Sequence, residues 1–395
     1  MSYQFPKGFL WGSATSAHQV EGNNRNDWTE WELKNAERLS QKGGGKYPPR
    51  NYISGKACDH YNRFREDFDI AKQLGHNAHR FSIEWSRVEP EEGRFNEKEI
   101  EHYLEVIQFL RECGLEPFVT LWHWTLPLWL RDKGGVSSAS FPKYFSRYAE
   151  YTAREIGKNV TFWITLNEPL VLASQGYLKG IWPPQQKSLL IYFKVLQHLV
   201  EAHKQAYVVM KNINQETQIG IAKNNIFFEG KGINKALTYL VDWWWNKRFL
   251  DKIKNSQDFI GLNYYLHHHI KGLKFKGLEF NRNENRAVSD MGWEIYPKGI
   301  YYLLKDLQLY QKPIYITENG IADAKDVRRA AFIRDHKTWM QKATEEGVDL
   351  RGYFYWSLMD NFEWDKGFWP RFGLVEIDYK TMERKIRQSA RRMID

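Results

Sequence analysis

Eight short apolar runs, each followed by a longer amphipathic stretch, constrain this chain more than any other feature. The runs are 9–12, 78–83, 117–121, 161–165, 219–222, 259–263, 314–317 and 352–356. They are continuously apolar or aromatic and bounded by turn residues, as strands buried on both faces of a parallel sheet are. The amphipathic stretches predict helices over 62–74, 97–113, 141–157, 189–212, 234–253, 297–308, 325–346 and 384–394. In the second of these, Ile100, Tyr103, Leu104, Ile107 and Leu110 form one stripe. Asn96 is placed there to cap the first amides, and Glu99 to reach back as a capping box. Eight strands each followed by a helix predict an α/β fold, a single (β/α)8 TIM barrel. With 395 residues, no linker and no internal repeat, one catalytic domain over 1–395 is expected rather than two or three. The segment from Gly43-Gly44-Gly45 to Pro48-Pro49 reads as a long loop after the first strand.

Active sites of such barrels lie at the C-terminal ends of the strands. Two runs end there in a glutamate followed by a structure-breaking context: Thr165-Leu166-Asn167-Glu168-Pro169 and Ile316-Thr317-Glu318-Asn319-Gly320. Glu168 would end the fourth strand and Glu318 the seventh, so the two should face one another across the mouth. A carboxyl pair in that position is what acid/base and nucleophilic chemistry on a glycosidic bond uses. The competing reading makes them two solvated strand-end charges among 48 acidic residues.

The bulk properties narrow the other classes. Charged residues at 27% fit a folded globular chain, and no apolar stretch approaches the ~20 residues of a membrane span. The start, Met1-Ser2-Tyr3-Gln4-Phe5-Pro6-Lys7, lacks the pattern of a secretion signal, so a cytoplasmic protein is expected. Cys58 and Cys113 have no metal or redox spacing and read as reduced thiols, Cys113 in the core. The formal charge of +9 invites a nucleic-acid reading. Much of the excess sits in 380–392, which reads as a solvated helix face, and no nucleic-acid-binding motif accompanies it. His267-His268-His269 suggests a metal site, but neighbours on an extended segment point to alternate faces, so no metal is expected. Asn159-Val160-Thr161 matches a glycosylation acceptor by chance.

From Phe5-Pro6-Lys7-Gly8-Phe9-Leu10-Trp11-Gly12 to Asp378-Tyr379 the chain resembles glycoside hydrolase family 1, the retaining β-glucosidases and β-galactosidases. The resemblance rests on Ser16-Ala17-His18-Gln19-Val20-Glu21-Gly22, on the two glutamate motifs, and on 356–364 (Trp356-Ser357-Leu358-Met359-Asp360-Asn361-Phe362-Glu363-Trp364). It implies Glu168 as general acid/base and Glu318 as nucleophile, with environments that push their pKa values apart. Arg80, ending the second strand, would keep Glu318 charged, and Tyr265 would donate its hydroxyl to it. Asn167 would hold the sugar 2-hydroxyl. Gln19, His123 and Glu363 would bind the sugar edge, Trp356 would form its floor, and Trp364 a further wall. Trp124, Asn263 and Phe372 join the site as neighbours of these groups. His123 also reads as an ordinary buried histidine, and Trp243-Trp244-Trp245 as mostly core. No cofactor is implied.

Glu363 stands where a phospho-glycosidase relative would carry serine, and a carboxylate there repels a phosphate. The chain is also short for the family, with the loss placed between the fifth and sixth strands. The expectation is a retaining, exo-acting β-glycosidase of the β-glucosidase type acting on small β-glycosides, without nucleic-acid or membrane partners. A 6-phospho-β-glycosidase and a catalytically silent sugar-binding barrel are the alternatives.

Overall fold

A computed structural model describes residues 4–274, 277–281 and 287–393. Met1, Ser2 and Tyr3, and position 394 of the C-terminal helix expected from sequence, lie outside the described residues. The strands are β1 (Leu10–Ala14), β2 (Ala78–Ser82), β3 (Glu116–Trp122), β4 (Phe162–Asn167), β5 (Gln218–Gly230) and β6 (Ile260–Lys274). They continue as β7 (Gly277–Asn281), β8 (Ile314–Asn319), β9 (Leu350–Trp356), β10 (Val375–Asp378) and β11 (Glu383–Ile386). Hydrogen bonding runs β5-β4-β3-β2-β1-β9-β8-β6, and a β5–β6 pairing closes the ring. Each of those pairings is parallel. The eight predicted strands are therefore the staves of one closed barrel.

Two cores explain why the runs are apolar on both faces. One cluster takes Ala14, Ala78, Phe118, Ile164, Ala222, Tyr315 and Phe354, one residue from each of seven staves, and fills the interior. Phe118 and Phe162 stack there with ring centroids 4.7 Å apart. The larger cluster lies between the ring and its helices, with residues such as Val119, Trp163, Ile219 and Ile316. Interior packing reaches Trp356 and Phe372 at the C-terminal mouth, so the floor of the site continues the core.

The structure corrects the sequence reading in several places. A helix at Asp27–Lys42, absent from the sequence expectation and started by a capping box between Asn26 and Thr29, follows β1; the Gly43-to-Pro48 segment after it is loop, up to a 3-10 turn at Pro49–Tyr52. At Glu97–Glu112 the capping box is only half formed. Asn96 accepts from the Lys98 amide, but Glu99 accepts a hydrogen bond from the Tyr61 hydroxyl instead. β5 and β6 run well past the ring as a paired ladder, up to Gly230 beside Ile270. The helical stretch after β5 is broken by a π turn at Trp243–Lys247. Arg80 sits in the middle of β2, not at its end.

Among the described residues of 384–394 no α-helix forms. β10 and β11 form an antiparallel hairpin, followed by a 3-10 turn at Gln388–Arg392. Its basic residues are not all solvated. Arg384 Nε donates to Asp67 Oδ1 at 2.9 Å, and Arg387 grips both Asp360 oxygens at 2.9 and 2.8 Å. Part of the positive excess is thus neutralised inside the fold. Among the described residues no helix is long and apolar enough to cross a membrane.

Candidate active site

The segment Asn167-Glu168-Pro169 fixes the first carboxyl. Proline disfavours the right-handed helical conformation for the residue before it. Glu168 takes the left-handed region (φ 43°, ψ 59°), a strained conformation for a residue with a side chain, and Pro169 opens a short helix. The Glu168 amide donates to the Ala222 carbonyl at 2.8 Å, which ties the turn to β5. On the facing side Glu318 lies within β8, and Gly320 follows where β8 crowds β9. A Cβ at Gly320 would lie 1.8 Å from the Trp356 carbonyl oxygen, so only glycine fits.

Both carboxyls line one cavity of about 540 Å³ at the barrel mouth. Their partners differ. Glu318 Oε1 accepts from Arg80 Nη1 at 2.6 Å and Oε2 from the Tyr265 hydroxyl at 2.9 Å. Arg80 is itself fixed, donating to Thr120 Oγ1, the Thr317 carbonyl and Asn167 Oδ1. Glu168 Oε1 accepts from the amides of Asn263 at 2.8 Å and Asn224 at 3.4 Å. Removal from water and the charge of Glu318 push the Glu168 carboxyl up to about 8. Burial also raises Glu318, while Arg80, Tyr265 and Asn263 work the other way. The pair titrates as a unit, and the ion pair to Arg80 places the shared proton on Glu168.

Beside the carboxyls the cavity wall holds Gln19, His123, Trp124, Tyr265, Trp356, Glu363, Trp364 and Phe372. Asn167, Asn263 and Arg80 stand behind that wall and orient it. The Asn167 oxygen is committed to Arg80, so its amide nitrogen donates to His123 Nε2 at 3.0 Å. That leaves the His123 hydrogen on Nδ1, an atom with no hydrogen-bond partner among the described residues. Burial and the nearby Arg80 charge hold the His123 pKa well below its usual value, so the ring stays neutral. Gln19 Nε2 donates to the Phe362 carbonyl at 2.8 Å and approaches Glu363 Oε2 at 3.4 Å. Burial, with the charges of Glu318, Asp365 and Glu168, pushes Glu363 up to about 8. Trp124, Trp182 and Trp364 pack together with centroids 4.7 and 4.8 Å apart about Trp124.

Several wall residues escaped sequence reasoning. Asn224 lies on β5 directly beside Glu168, and Trp245 approaches its Oδ1 with Nε1 at 3.4 Å. Trp245 lines the cleft and Trp243 is 39% exposed, so the tryptophan triplet is not simply core. His267, His268, Met291, Trp293 and Glu294 line the cavity from β6 and the segment after it. A longer β5 and β6 would have been the only signal, and it is invisible when each run is read alone.

A closed parallel ring with two buried glutamates in one aromatic-walled cavity defines a barrel glycoside hydrolase. The chain belongs to glycosyl hydrolase family 1, whose sequence profile matches residues 1–232 and 246–393. The break at 233–245 falls in the connection between β5 and β6. β-Glucosidase A of Thermotoga maritima is 35% identical, with 98% of this chain and 96% of the relative covered. The β-galactosidase of Pyrococcus woesei is 30% identical over 98% of this chain and 95% of its own length. Among solved structures, a β-glycosidase from Pyrococcus horikoshii superposes with TM-score 0.90 at 40% identity, covering 99% of this chain and 94% of that one. A β-glucosidase from Thermotoga maritima in complex with deoxynojirimycin gives TM-score 0.88 at 34% identity, covering 99% and 97%.

Proposed function

We propose that this protein is a retaining, exo-acting β-glucosidase that removes terminal non-reducing β-D-glucosyl residues, with β-galactosides and β-fucosides as related substrates. The observation that carries this reading is the unequal treatment of two glutamates in one cavity. Glu318 is paired with a guanidinium and a phenol, whereas Glu168 is held by neutral amides. Glu318 attacks the anomeric carbon while Glu168 delivers its proton to the departing oxygen, giving a glycosyl-enzyme. Glu168, now ionised, takes a proton from water as the water attacks that intermediate, and Glu318 leaves. Sugar acceptors in place of water would give transfer. His123 Nδ1, Gln19 and Glu363 bind the sugar edge over Trp356, and the second hydrogen of Asn167 Nδ2 reaches the 2-hydroxyl. Relatives named for β-glucosidase activity favour glucose. Once ionised, above about pH 8, Glu363 in the wall repels a 6-phosphate. The reduced Cys58 and Cys113 suit a cytoplasmic, one-domain enzyme.

Proton NMR of the products from an aryl β-glucoside tests the reading, with the β-anomer of glucose expected first. An α-anomer formed first means single displacement and removes the nucleophile role. In Glu318→Gln, kcat should fall by at least about 10⁴-fold with the fold unchanged. Near-normal turnover in that variant, or none with any glycoside in the wild type, overturns the proposal.

A further inference from the structure

The β5–β6 ladder beyond the ring brings together groups that the glycosidase chemistry does not use. His267 and His269, two apart on β6, share a face, and Glu229 lies on β5 in register with His269. Only the middle histidine of the triplet, His268, points the other way, bonding through Nδ1 to the His267 carbonyl oxygen at 2.8 Å. Glu229 Oε2 is 3.5 Å from His267 Nε2 and 3.8 Å from His269 Nε2. One ligand atom from each of the three falls within 4.8 Å of the others. Four ligands at ~2.1 Å around a tetrahedral ion lie roughly 3.4 Å from one another, so the two Glu229 distances nearly match and the two imidazoles close by at most roughly 1.4 Å to complete the set. The support behind His267 is already in place. Its Nδ1 faces Glu294 Oε2 at 3.0 Å, and Glu294 is almost fully buried. The carboxylate holds the proton on Nδ1 and directs the Nε2 lone pair at Glu229, the carboxylate–histidine arrangement that orients metal ligands.

We propose that Glu229, His267 and His269 bind one divalent first-row transition ion, with Zn²⁺ the fitting species. Two imidazoles and one carboxylate are the donor set that this ion accepts, with a fourth position left for water. The ion would bridge β5 and β6 where they have left the ring. Glu229 lies just before the interruption of the family match at 233–245, and His267 and His269 lie in the matched segment after it. The ion would also sit beside His267, which lines the cleft. His267 and Glu294 line the same cavity as the glutamate pair, but neither glutamate is in the donor set, and the site does not depend on the proposed hydrolysis.

Tag-free full-length protein, stripped with chelator, is titrated with ZnCl₂ by calorimetry and followed by thermal unfolding. One equivalent should bind and raise Tm. His269→Gln and Glu229→Gln should each weaken Zn²⁺ binding by at least about tenfold and lose the Tm rise. Glu294→Gln should weaken it by about 10- to 100-fold through the orienting bond alone. Co²⁺ should give the visible absorption of a low-coordinate N/O site in the wild type and not in His267→Gln/His269→Gln. No binding heat and no Tm change in the wild type overturns the proposal, even if every variant fails to fold. Binding with unchanged stoichiometry and affinity in the double variant overturns it too.

Discussion

Glu168 and Glu318 are the same residue type made unequal by what surrounds them. Glu168 is removed from water and faces the Glu318 charge, so its proton is held to about 8 despite two amide donors that work the other way, and is available to a leaving group. Replacing it by alanine should cost about 10²–10⁴-fold in kcat with a poorly departing alcohol, the usual span for general acid catalysis. A dinitrophenyl glucoside needs little protonation, and its glycosylation step should hardly slow. Added azide should restore turnover and give the β-glucosyl azide. Equal losses across leaving groups in a Brønsted series would sink the acid role. Tyr265 tunes the other carboxyl by a single hydroxyl donor at 2.9 Å. Tyr265→Phe removes a charge-assisted bond of about 1.5–3 kcal/mol, so kcat/KM should drop by about 10- to 100-fold. The acid limb of the pH profile should rise, because the Glu318 anion loses a donor. A drop without any movement of that limb would make Tyr265 merely structural. The carboxyls were legible from their strand-end motifs, whereas Arg80, inside β2, and Tyr265, inside β6, were expected only from the family resemblance. Asn224, Trp245 and His267 were not legible, since their place depends on how far two strands continue after leaving the ring.

At the scale of elements, the ring was legible because a stave buried on both faces must be continuously apolar. Even the aromatic interior, Phe118 against Phe162, is written as such a run. The C-terminal segment misled for a physical reason. Alternating apolar and basic residues satisfy both a surface helix and a two-residue strand period over so short a stretch. Tertiary partners decided it, since Asp67 and Asp360 await Arg384 and Arg387 in the interior. Asp360 is fully buried and also accepts from the Gly373 amide, so the hairpin fastens the 356–364 segment that carries Trp356 and Glu363. Arg387→Met should therefore cost about 3–5 kcal/mol, the loss on breaking a buried ion pair by removing one partner. Chemical denaturation would show it as a lower midpoint at unchanged slope. A variant within about 0.5 kcal/mol of wild type would mean that Arg371, 3.2 Å from the same carboxylate, compensates alone.

Over the whole molecule, the site works against the stability of the fold that holds it, and the sign can be followed through pH. Glu168 and Glu363 both carry pKa values raised to about 8 from an ordinary value near 4.5. Below about pH 4.5 both are protonated in folded and unfolded chains alike, and nothing is lost. As pH climbs from there toward about 8, the unfolded chain has released protons that the native chain still holds. Linkage then makes native stability fall with rising pH throughout that window, and the full penalty remains above it. Buried Lys223, pushed down to about 7 by desolvation, behaves oppositely, since its burden eases as pH rises above that value. Glu168→Gln removes one titration of the first kind while leaving the Arg80–Glu318 pair intact. Its Tm should match that of the wild type at about pH 5 and exceed it by a margin that widens toward about pH 8. Over the same interval wild-type kcat/KM should hold and then fall above about 8, as the free enzyme loses the proton it donates. Calorimetry of the two proteins across pH, set beside the rate profile, ties both trends to one carboxyl. A constant Tm difference from pH 5 to 8 would show that Glu168 is ionised in the resting enzyme, and the proton would have to come from elsewhere.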